Sequence, residues 1–173
     1  MSAQESAPCN RILVVDDNRA IHDDFRKILT PWNSTVALDE AEALLFGGST
    51  PAANQQVCVE IESAFQGEEG VAMVQRAAQE GQHYAMAFVD VRMPPGLDGV
   101  ETATRIWKID PGLPVMFCTA HSDYSREEMM ARIDQSHRMT ILKKPFEPAE
   151  VLRLVSTMVK KSQQRRQSIE TSR

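Results

Sequence analysis

Apolar and polar positions alternate along this chain in a way that predicts five strands, each followed by a helix. Short apolar runs predict strands over residues 12–15, 57–64, 85–89, 115–121 and 139–146. After each run the apolar residues recur every three or four positions, which is the spacing of one helix face. These helices are predicted to begin near Asn18, Gly67, Asp98, Glu127 and Glu147. Five strand–helix pairs favour an α/β fold with an open, doubly wound parallel sheet.

One long connection breaks this rhythm between the first helix and the second strand. Residues 31–56 lack a sustained pattern, apart from helical spacing over 38–46 (LDEAEALLF). Loops this long are uncommon inside a compact domain, so we interpret 31–56 as an insertion, either a partner surface or a tolerated loop. The domain itself is predicted over 11–160. Residues 1–10 are predicted to be a flexible tail, and the basic segment 161–173 a solvated tail or the start of a linker helix.

Composition and charge exclude several classes of function. The chain has 173 residues, enough for one domain, and a net charge of −5, which disfavours binding to nucleic acid or to an anionic membrane. No apolar run approaches the ~20 residues that span a bilayer, and the first residues lack the apolar stretch of a secretory signal. We therefore expect a cytoplasmic protein with no membrane partner and no direct nucleic-acid binding.

The cysteines and histidines show no metal-ligand spacing. Cys9, Cys58 and Cys118 are far apart in the sequence, and two of them lie in apolar runs. This pattern is typical of small, buried, reduced side chains in the cytosol. Neither a zinc site nor a Cys–His nucleophile is expected.

Polar side chains stand where four of the predicted strands end. They are Asp16 and Asp17, Asp90, Thr119, and Lys143 with Lys144. Because the carboxyl ends of parallel strands meet at one edge of the sheet, we expect these side chains to converge there. Carboxylates ~4 Å apart repel by about 4 kcal/mol per pair at an effective dielectric constant of ~20, and a cation among them relieves this repulsion. Mg²⁺ prefers oxygen ligands and keeps open positions for a phosphate.

A carboxylate at such a site can itself be the nucleophile of phosphoryl transfer, giving an acyl phosphate. Asp90 alone follows the predicted central strand, so it is the nucleophile we favour. A threonine hydroxyl and a lysine opposite can then bind the phosphoryl oxygens. Taken singly, each residue has a structural explanation: the acid pair caps a helix, Thr119 ends a strand, and Lys144 is solvated. Their joint occurrence at successive strand ends favours a site for an aspartyl phosphate.

The motifs ILVVDDN, FVDVRMP followed by DGVE, FCTAH and LKKPF, spread over roughly residues 10–160, closely resemble the receiver domain of two-component response regulators. The resemblance implies a flavodoxin-like five-stranded parallel sheet, order 2-1-3-4-5, with helices on both faces. It also implies that a histidine kinase or phosphotransfer protein donates a phosphoryl group to Asp90 in the presence of Mg²⁺.

The resemblance assigns a role to each matching residue. The ligands of Mg²⁺ would be Asp17 directly, Asp16 partly through water, Asp90, and the backbone carbonyl of Arg92. Thr119 and the backbone amide of Ala120 would contact the phosphoryl group. Lys144, directly before Pro145, would pair with that group, whereas Lys143 should point to the other face by strand alternation.

Four features depart from the family pattern. One is the insertion at 31–56, expected at the edge of the sheet opposite the site, and another is the turn MPPGLDG, one residue longer than the usual MPxxDG. Ile141 stands where the family often has an aromatic residue that moves on phosphorylation, so an aromatic-coupled switch is not expected. Arg92 and His121 flank the path of attacking water, and we hypothesise that they set the lifetime of the acyl phosphate.

The resulting interpretation is a phosphorylation-dependent signalling switch and not a metabolic enzyme. Its output surface would involve the fourth helix, fifth strand and fifth helix, acting on an output domain, a partner protein or a second copy. One alternative is a phosphate-independent adaptor that binds a partner through its insertion. Another is a haloacid-dehalogenase-like phosphatase, but that pattern wants an acid where Arg92 stands. About ten residues follow the fifth helix, so the chain is expected to be either a stand-alone receiver or the receiver part of a longer protein.

Overall fold

A computed structural model describes residues 9–30, 58–120, 125–133 and 139–171, which form one parallel sheet with helices packed on it. The strands are β1 Asn10–Val15, β2 Val59–Ala64, β3 Met86–Asp90, β4 Val115–Thr119 and β5 Met139–Lys143. The helices are α1 Arg19–Leu29, α2 Gly67–Gln79, α3 Gly99–Ile109, α4 Arg126–Arg132 and α5 Pro148–Thr171. The strand order β2-β1-β3-β4-β5 confirms the predicted doubly wound, flavodoxin-like α/β fold.

The two faces of the sheet bury two separate apolar clusters. Along β1, Ile12 and Val14 face one cluster while Leu13 and Val15 face the other, as strand alternation requires. Helices α1 and α5 cover the first face, and α2, α3 and α4 cover the second. All residues of β3 and β4 are buried, which explains why these strands are apolar almost throughout.

Side-chain caps determine where several helices begin. The Asn18 side chain accepts a hydrogen bond from Ala20 N, and the Asp98 side chain accepts one from Glu101 N, so both predicted starts are confirmed. Ser125 and Glu128 form a reciprocal capping box at the start of α4. The caps at Asn18 and Asp98 lie in the connections that follow β1 and β3, so they orient the chain after it leaves the carboxyl edge of the sheet.

Several boundaries differ from those predicted, and β4 and β5 end at Thr119 and Lys143, before the predicted residues 121 and 146. β1 begins at Asn10 and not at residue 12, because the backbone N–H and side-chain amide of Asn10 both donate to Cys58 O and extend the ladder with β2. α5 continues past Lys160 to Thr171, so the basic segment 161–171 is helical. Within it, Arg165 Nη1 donates to Gly112 O at 2.8 Å. None of the helices in the described ranges has the length and apolar character needed to cross a bilayer.

The expectation of three reduced, buried cysteines is wrong for two of them. Cys9 and Cys58 are joined by a disulfide, and both are half-buried, while Cys118 is free and buried in β4. The pairing of β1 with β2 brings Cys9 and Cys58 together across 49 positions of sequence. Sequence spacing carries no signal for such a contact.

The predicted insertion, residues 31–56, lies entirely outside the described residues. This holds for the helix predicted over 38–46 and for residues 1–8 of the predicted tail. The flanks are described: Thr30 caps the end of α1, and Cys58 precedes β2. Cys58 is at the amino end of β2, and the polar residues singled out above follow the carboxyl ends of the strands.

Candidate functional site

Three carboxylates and one ammonium group meet at the carboxyl edge of the sheet. One oxygen each of Asp16, Asp17 and Asp90 lies within 4.8 Å of the others. Lys144 Nζ lies between two of these acids, 2.8 Å from Asp16 Oδ2 and 3.1 Å from Asp90 Oδ1. The structure therefore brings four of the predicted site residues into direct contact or close proximity.

The pairing of β1 with β3 places the acids side by side. Val15 and Val89 are register partners, so the residues that follow them, Asp16 and Asp90, leave adjacent strands at the same level. Asp16 is 1% exposed, and its Oδ1 accepts a hydrogen bond from Asn18 N. Asp17 is exposed and completes the rim. Both oxygens of Asp16 are thus engaged, one by the start of α1 and one by Lys144.

The pairing of β4 with β5 positions the lysine. Thr119 and Lys143 are register partners, and Lys144 N donates to Thr119 O at 2.9 Å. The side chain of Lys143 is exposed, whereas that of Lys144 turns inward to the acids and is 20% exposed. Of two adjacent lysines, only Lys144 reaches the carboxylates.

The predicted phosphoryl contacts, Thr119 and Ala120, lie at the end of β4, at the same edge of the sheet. The buried Thr119 hydroxyl donates to Ala120 O at 2.7 Å. Ala120 itself is exposed. Arg92, two positions after Asp90, has an exposed side chain, and His121 lies outside the described residues. To donate to a phosphoryl group on Asp90, the Thr119 hydroxyl would have to leave its backbone partner, Ala120 O.

The long turn after Asp90 rests on the start of α2. Leu97 N donates to Glu68 Oε1, and a side chain at Gly96 would clash with the carboxylate of Glu68. At the end of the turn, Gly99 N donates to Val91 O, and a Cβ on Gly99 would lie 2.2 Å from Asp90 O. The backbone of Asp90 is thus in contact with the first residue of α3, which only glycine allows.

The site environment raises the pKa of the central carboxyl. Burial, together with the negative charge of Asp16, raises the pKa of Asp90 to about 6, although Lys144 opposes this shift. Burial alone would lower the pKa of Lys144, but its hydrogen bond to Asp16 and the charges of both acids raise the pKa above its ordinary value. The lysine therefore stays charged and Asp90 gains or loses its proton close to neutral pH.

The donor set fits a hard divalent cation. All the clustered ligand atoms are carboxylate oxygens, two of the three acids are buried, and the exposed Asp17 leaves one side open to water. Mg²⁺ binds through one or two carboxylates and retains several waters, so these acids match its preferences. Softer metals that select sulfur or imidazole find no such ligands in this cluster.

Two contacts at the site were not expected from the sequence. His22 is buried beneath the acids, with Nε2 2.7 Å from Asp16 O and its ring against Phe65. Arg132 of α4 donates to Asp98 Oδ2 at 2.7 Å and so ties α4 to the turn that follows Asp90. His22 lies at helical spacing from apolar residues of α1, which is a weak sequence signal of burial. No sequence signal predicts the contact of Arg132 with Asp98.

The sequence of the chain was compared with those of known protein families. Residues 38–156 match the response regulator receiver domain, which is more than half of the chain. The chain belongs to the response regulator receiver family. The matched range begins after β1, so the family match does not include Asp16 and Asp17. The pairing of β1 with β3 brings these two acids to the carboxyl edge of the sheet, beside Asp90. No curated protein matches the chain by sequence.

Solved structures show the same fold at low sequence identity. The N-terminal domain of a response regulator/sensory box/GGDEF three-domain protein from Carboxydothermus hydrogenoformans is 20% identical, with a TM-score of 0.61 over 90% of this receiver and 98% of that chain. The chemotaxis protein CheY4 of Vibrio cholerae is 21% identical, with a TM-score of 0.57 over 87% and 99%. A receiver protein from Sinorhizobium medicae is 21% identical, with a TM-score of 0.54 over 88% and 95%. At these identities the likeness establishes the fold alone.

Proposed function

We propose that this receiver is a phosphorylation-dependent signalling switch that accepts a phosphoryl group on Asp90 from a histidine kinase or a phosphotransfer protein. The observation that carries the proposal is the contact of Asp90 with Lys144 beside Asp16 and Asp17 at the carboxyl edge of the sheet. A nucleophile, a set of metal ligands and a cation for the phosphoryl oxygens are together in one site. The chain acts as a recipient of the group and not as a metabolic enzyme.

The transfer exchanges a phosphorus–nitrogen bond for a phosphorus–oxygen bond. A carboxylate oxygen of Asp90 attacks the phosphorus of a phosphohistidine, the P–N bond breaks, and the donor imidazole leaves with the electron pair and takes up a proton. Asp90 must be ionised to attack. With a pKa of about 6, its ionised form is favoured about tenfold at pH 7.

The side chains around Asp90 then compensate the added charge. Lys144 Nζ pairs with a phosphoryl oxygen, and the Thr119 hydroxyl exchanges Ala120 O for another, with the Ala120 amide beside it. Mg²⁺, when bound, neutralises charge on the attacking and phosphoryl oxygens. Asp16, Asp17, Asp90 and the backbone carbonyl of Arg92 are the groups we assign to hold it.

The donor would approach beside Lys144. A groove of about 590 Å³ lies between α1 and the connection from β5 to α5. Its lining includes Ile21, Ile28 and Phe146 as well as Lys144 itself. Apolar side chains next to the phosphoryl-binding lysine are suited to docking a helical donor protein.

The phosphorylated state would be transmitted through α4. Loss of the hydrogen bond from the Thr119 hydroxyl to Ala120 O would change the end of β4. The ion pair of Arg132 with Asp98 links the loop after Asp90 to α4. Ile141 is half-buried against the core, so the switch would proceed without an aromatic side chain at this position. The similar domain from Carboxydothermus hydrogenoformans is the N-terminal part of a three-domain protein, which supports an output domain joined through α5. A cytoplasmic setting is part of the same proposal.

The first experiment is phosphorylation by acetyl phosphate with Mg²⁺, measured by intact mass. The wild type should gain one phosphoryl group, and Asp90→Ala should gain none. Asp23→Ala, which removes an exposed carboxylate of α1, is the matched control and should behave as wild type.

The two adjacent lysines provide a second matched pair in the same assay. Lys144→Ala should slow labelling about tenfold or more, whereas Lys143→Ala should leave it unchanged, because only Lys144 reaches Asp90. If folded wild type gained no phosphoryl group, the phosphate-independent adaptor would replace this proposal. Equal loss in both lysine variants would contradict the role assigned to Lys144.

A further inference from the structure

Two cysteines meet at the edge of the sheet opposite Asp90. Cys9 and Cys58 directly precede β1 and β2, their Cα atoms are 4.5 Å apart, and a disulfide joins them. The backbone and side-chain amides of Asn10 both donate to Cys58 O, at 2.8 and 3.1 Å. The two cysteines are therefore held together by the strand pairing and not by the sulfur atoms alone.

The parallel register brings the two sulfur atoms together. Asn10 and Val59 are the first register partners of β1 and β2, and Cys9 and Cys58 are the next pair outward. A Cα separation of 4.5 Å is within the range that a disulfide spans. Both residues are half-buried, so small reagents can reach them. From Cys9 to Asp16 along β1 is about 20 Å, which separates this pair from the phosphorylation site.

The third cysteine offers a natural contrast. Cys118 is fully buried in β4, and burial raises the pKa of its thiol well above the ordinary value. A thiol in such surroundings is a poor nucleophile and an inert core residue. Of the chain's three cysteines, the structure thus leaves one outside any exchange reaction.

We propose that Cys9 and Cys58 form a reversible redox site whose oxidant is a low-molecular-weight disulfide of the glutathione class. This inference rests on the cytoplasmic setting of the proposed function, because a disulfide in a reducing compartment is transient or regulatory. It gives the receiver a second input, chemically independent of the aspartyl phosphate.

The exchange balances without any other reactant. The thiolate of one cysteine attacks a glutathione disulfide, forming a mixed disulfide and releasing one glutathione thiolate. The second cysteine then attacks the protein sulfur of that mixed disulfide and releases the other glutathione. The protein loses two electrons and two protons, and one glutathione disulfide takes them up to become two thiols.

The disulfide would act on the receiver through the chain segment it encloses. The loop between Cys9 and Cys58 contains β1, α1, both acids at the end of β1, and the whole of residues 31–57. Closing a loop of this size restricts the unfolded chain and stabilises the folded one. Oxidation would therefore strengthen the β1–β2 edge and fix the point where the insertion rejoins the sheet.

The test titrates the full chain with mixtures of reduced and oxidised glutathione. Samples are quenched in acid, alkylated in denaturant and weighed as intact protein, so that three reactive thiols mark the reduced chain and one marks the oxidised chain. We expect the two forms to interconvert within the titration. The midpoint of thermal unfolding should be about 10 °C lower in the reduced form.

Variants separate this site from the phosphorylation site. Cys118→Ala and Asp90→Ala should titrate as wild type. Cys9→Ser should stop at a mixed disulfide that adds one glutathione to Cys58. A pair that stayed oxidised in reduced glutathione alone, or stayed reduced in excess glutathione disulfide, would overturn the proposal. Failure of Asp90 phosphorylation with a normal titration would count only against the signalling function.

Discussion

Asp90 is a carboxyl group whose surroundings oppose its ionisation. It is 6% exposed, and burial with the charge of Asp16 raises its pKa to about 6. The folded chain holds this proton more tightly than the unfolded chain does. The free energy of unfolding therefore falls as the pH rises through about 4 to 6. The full penalty is present above that window. Phosphorylation or a bound cation would remove it.

Replacing Asp90 with asparagine should remove this penalty. In the absence of Mg²⁺, Asp90→Asn should raise the free energy of unfolding by about 1–2 kcal/mol at pH 8, which allows for solvent screening, and by little at pH 4. Urea unfolding at both pH values measures the difference. Asp23→Asn on the exposed face of α1 is the control, and a gain at pH 8 that persisted undiminished at pH 4 would contradict the explanation.

Individual residues at the site divide into those that the sequence identifies and those that it does not. Asp16, Asp17, Asp90 and Lys144 stand out because charged residues directly follow apolar runs. His22 does not, since its contact with Asp16 O depends on how α1 packs beneath the loop after β1. A pattern in the chain reveals which residues end a strand, but not which side chain lies under them.

At the scale of elements, α3 is placed by the contact of Gly99 with the backbone of Asp90. A Cβ at Gly99 would lie 2.2 Å from Asp90 O and 2.8 Å from the Cα of Val91, and neither backbone can yield cheaply. The helix start and the end of β3 must then move apart. Such a movement would displace Asp90 from Lys144.

Gly99→Ala should therefore impair both stability and chemistry. We expect a loss of about 2 kcal/mol in the free energy of unfolding. Labelling of Asp90 by acetyl phosphate should be slowed at least tenfold, as intact mass can follow. Gly112→Ala is the matched control, because the nearest atom to its new Cβ is the flexible end of Arg165, 3.2 Å away. Normal labelling of a folded Gly99→Ala protein would refute the positioning role.

Element types were largely predictable because their signals are local. Asn18 and Asp98 cap their helices through bonds to residues two or three positions away, and the alternation along β1 reflects its two buried faces. The start of β1 and the end of α5 were less predictable. β1 begins at Asn10 because Asn10 N donates to Cys58 O, which comes from a distant part of the sequence. The helix through 161–171 has no apolar stripe from which it could be predicted.

At the scale of the whole molecule, the site joins separate parts of the chain. Asp16 and Asp17 follow β1, Asp90 ends β3, and Lys144 follows β5. A cation held by these acids binds the folded chain and not the unfolded one. Binding should thus stabilise the entire fold and not one loop alone.

Mg²⁺ should raise the unfolding midpoint in a saturable manner. At a concentration 100 times the dissociation constant, the gain is about 2.7 kcal/mol, which corresponds to about 5–10 °C for a chain of this size. Asp17→Asn should abolish most of the shift, and it should fold normally because Asp17 is exposed. Asp23→Asn should keep the full shift. Thermal unfolding over a series of Mg²⁺ concentrations measures the shift in each variant. An equal shift in both variants would exclude Asp17 as a ligand.

The sequence alone determined the order and type of the elements, the parallel α/β class and the chemical character of four strand ends. Those properties follow from periodicity and from caps that act over a few residues. The tertiary structure decided which distant residues meet: Cys9 with Cys58, His22 with Asp16, and Arg132 with Asp98. These contacts depend on strand register and helix packing, because a shift of one position along a strand turns every side chain to the opposite face.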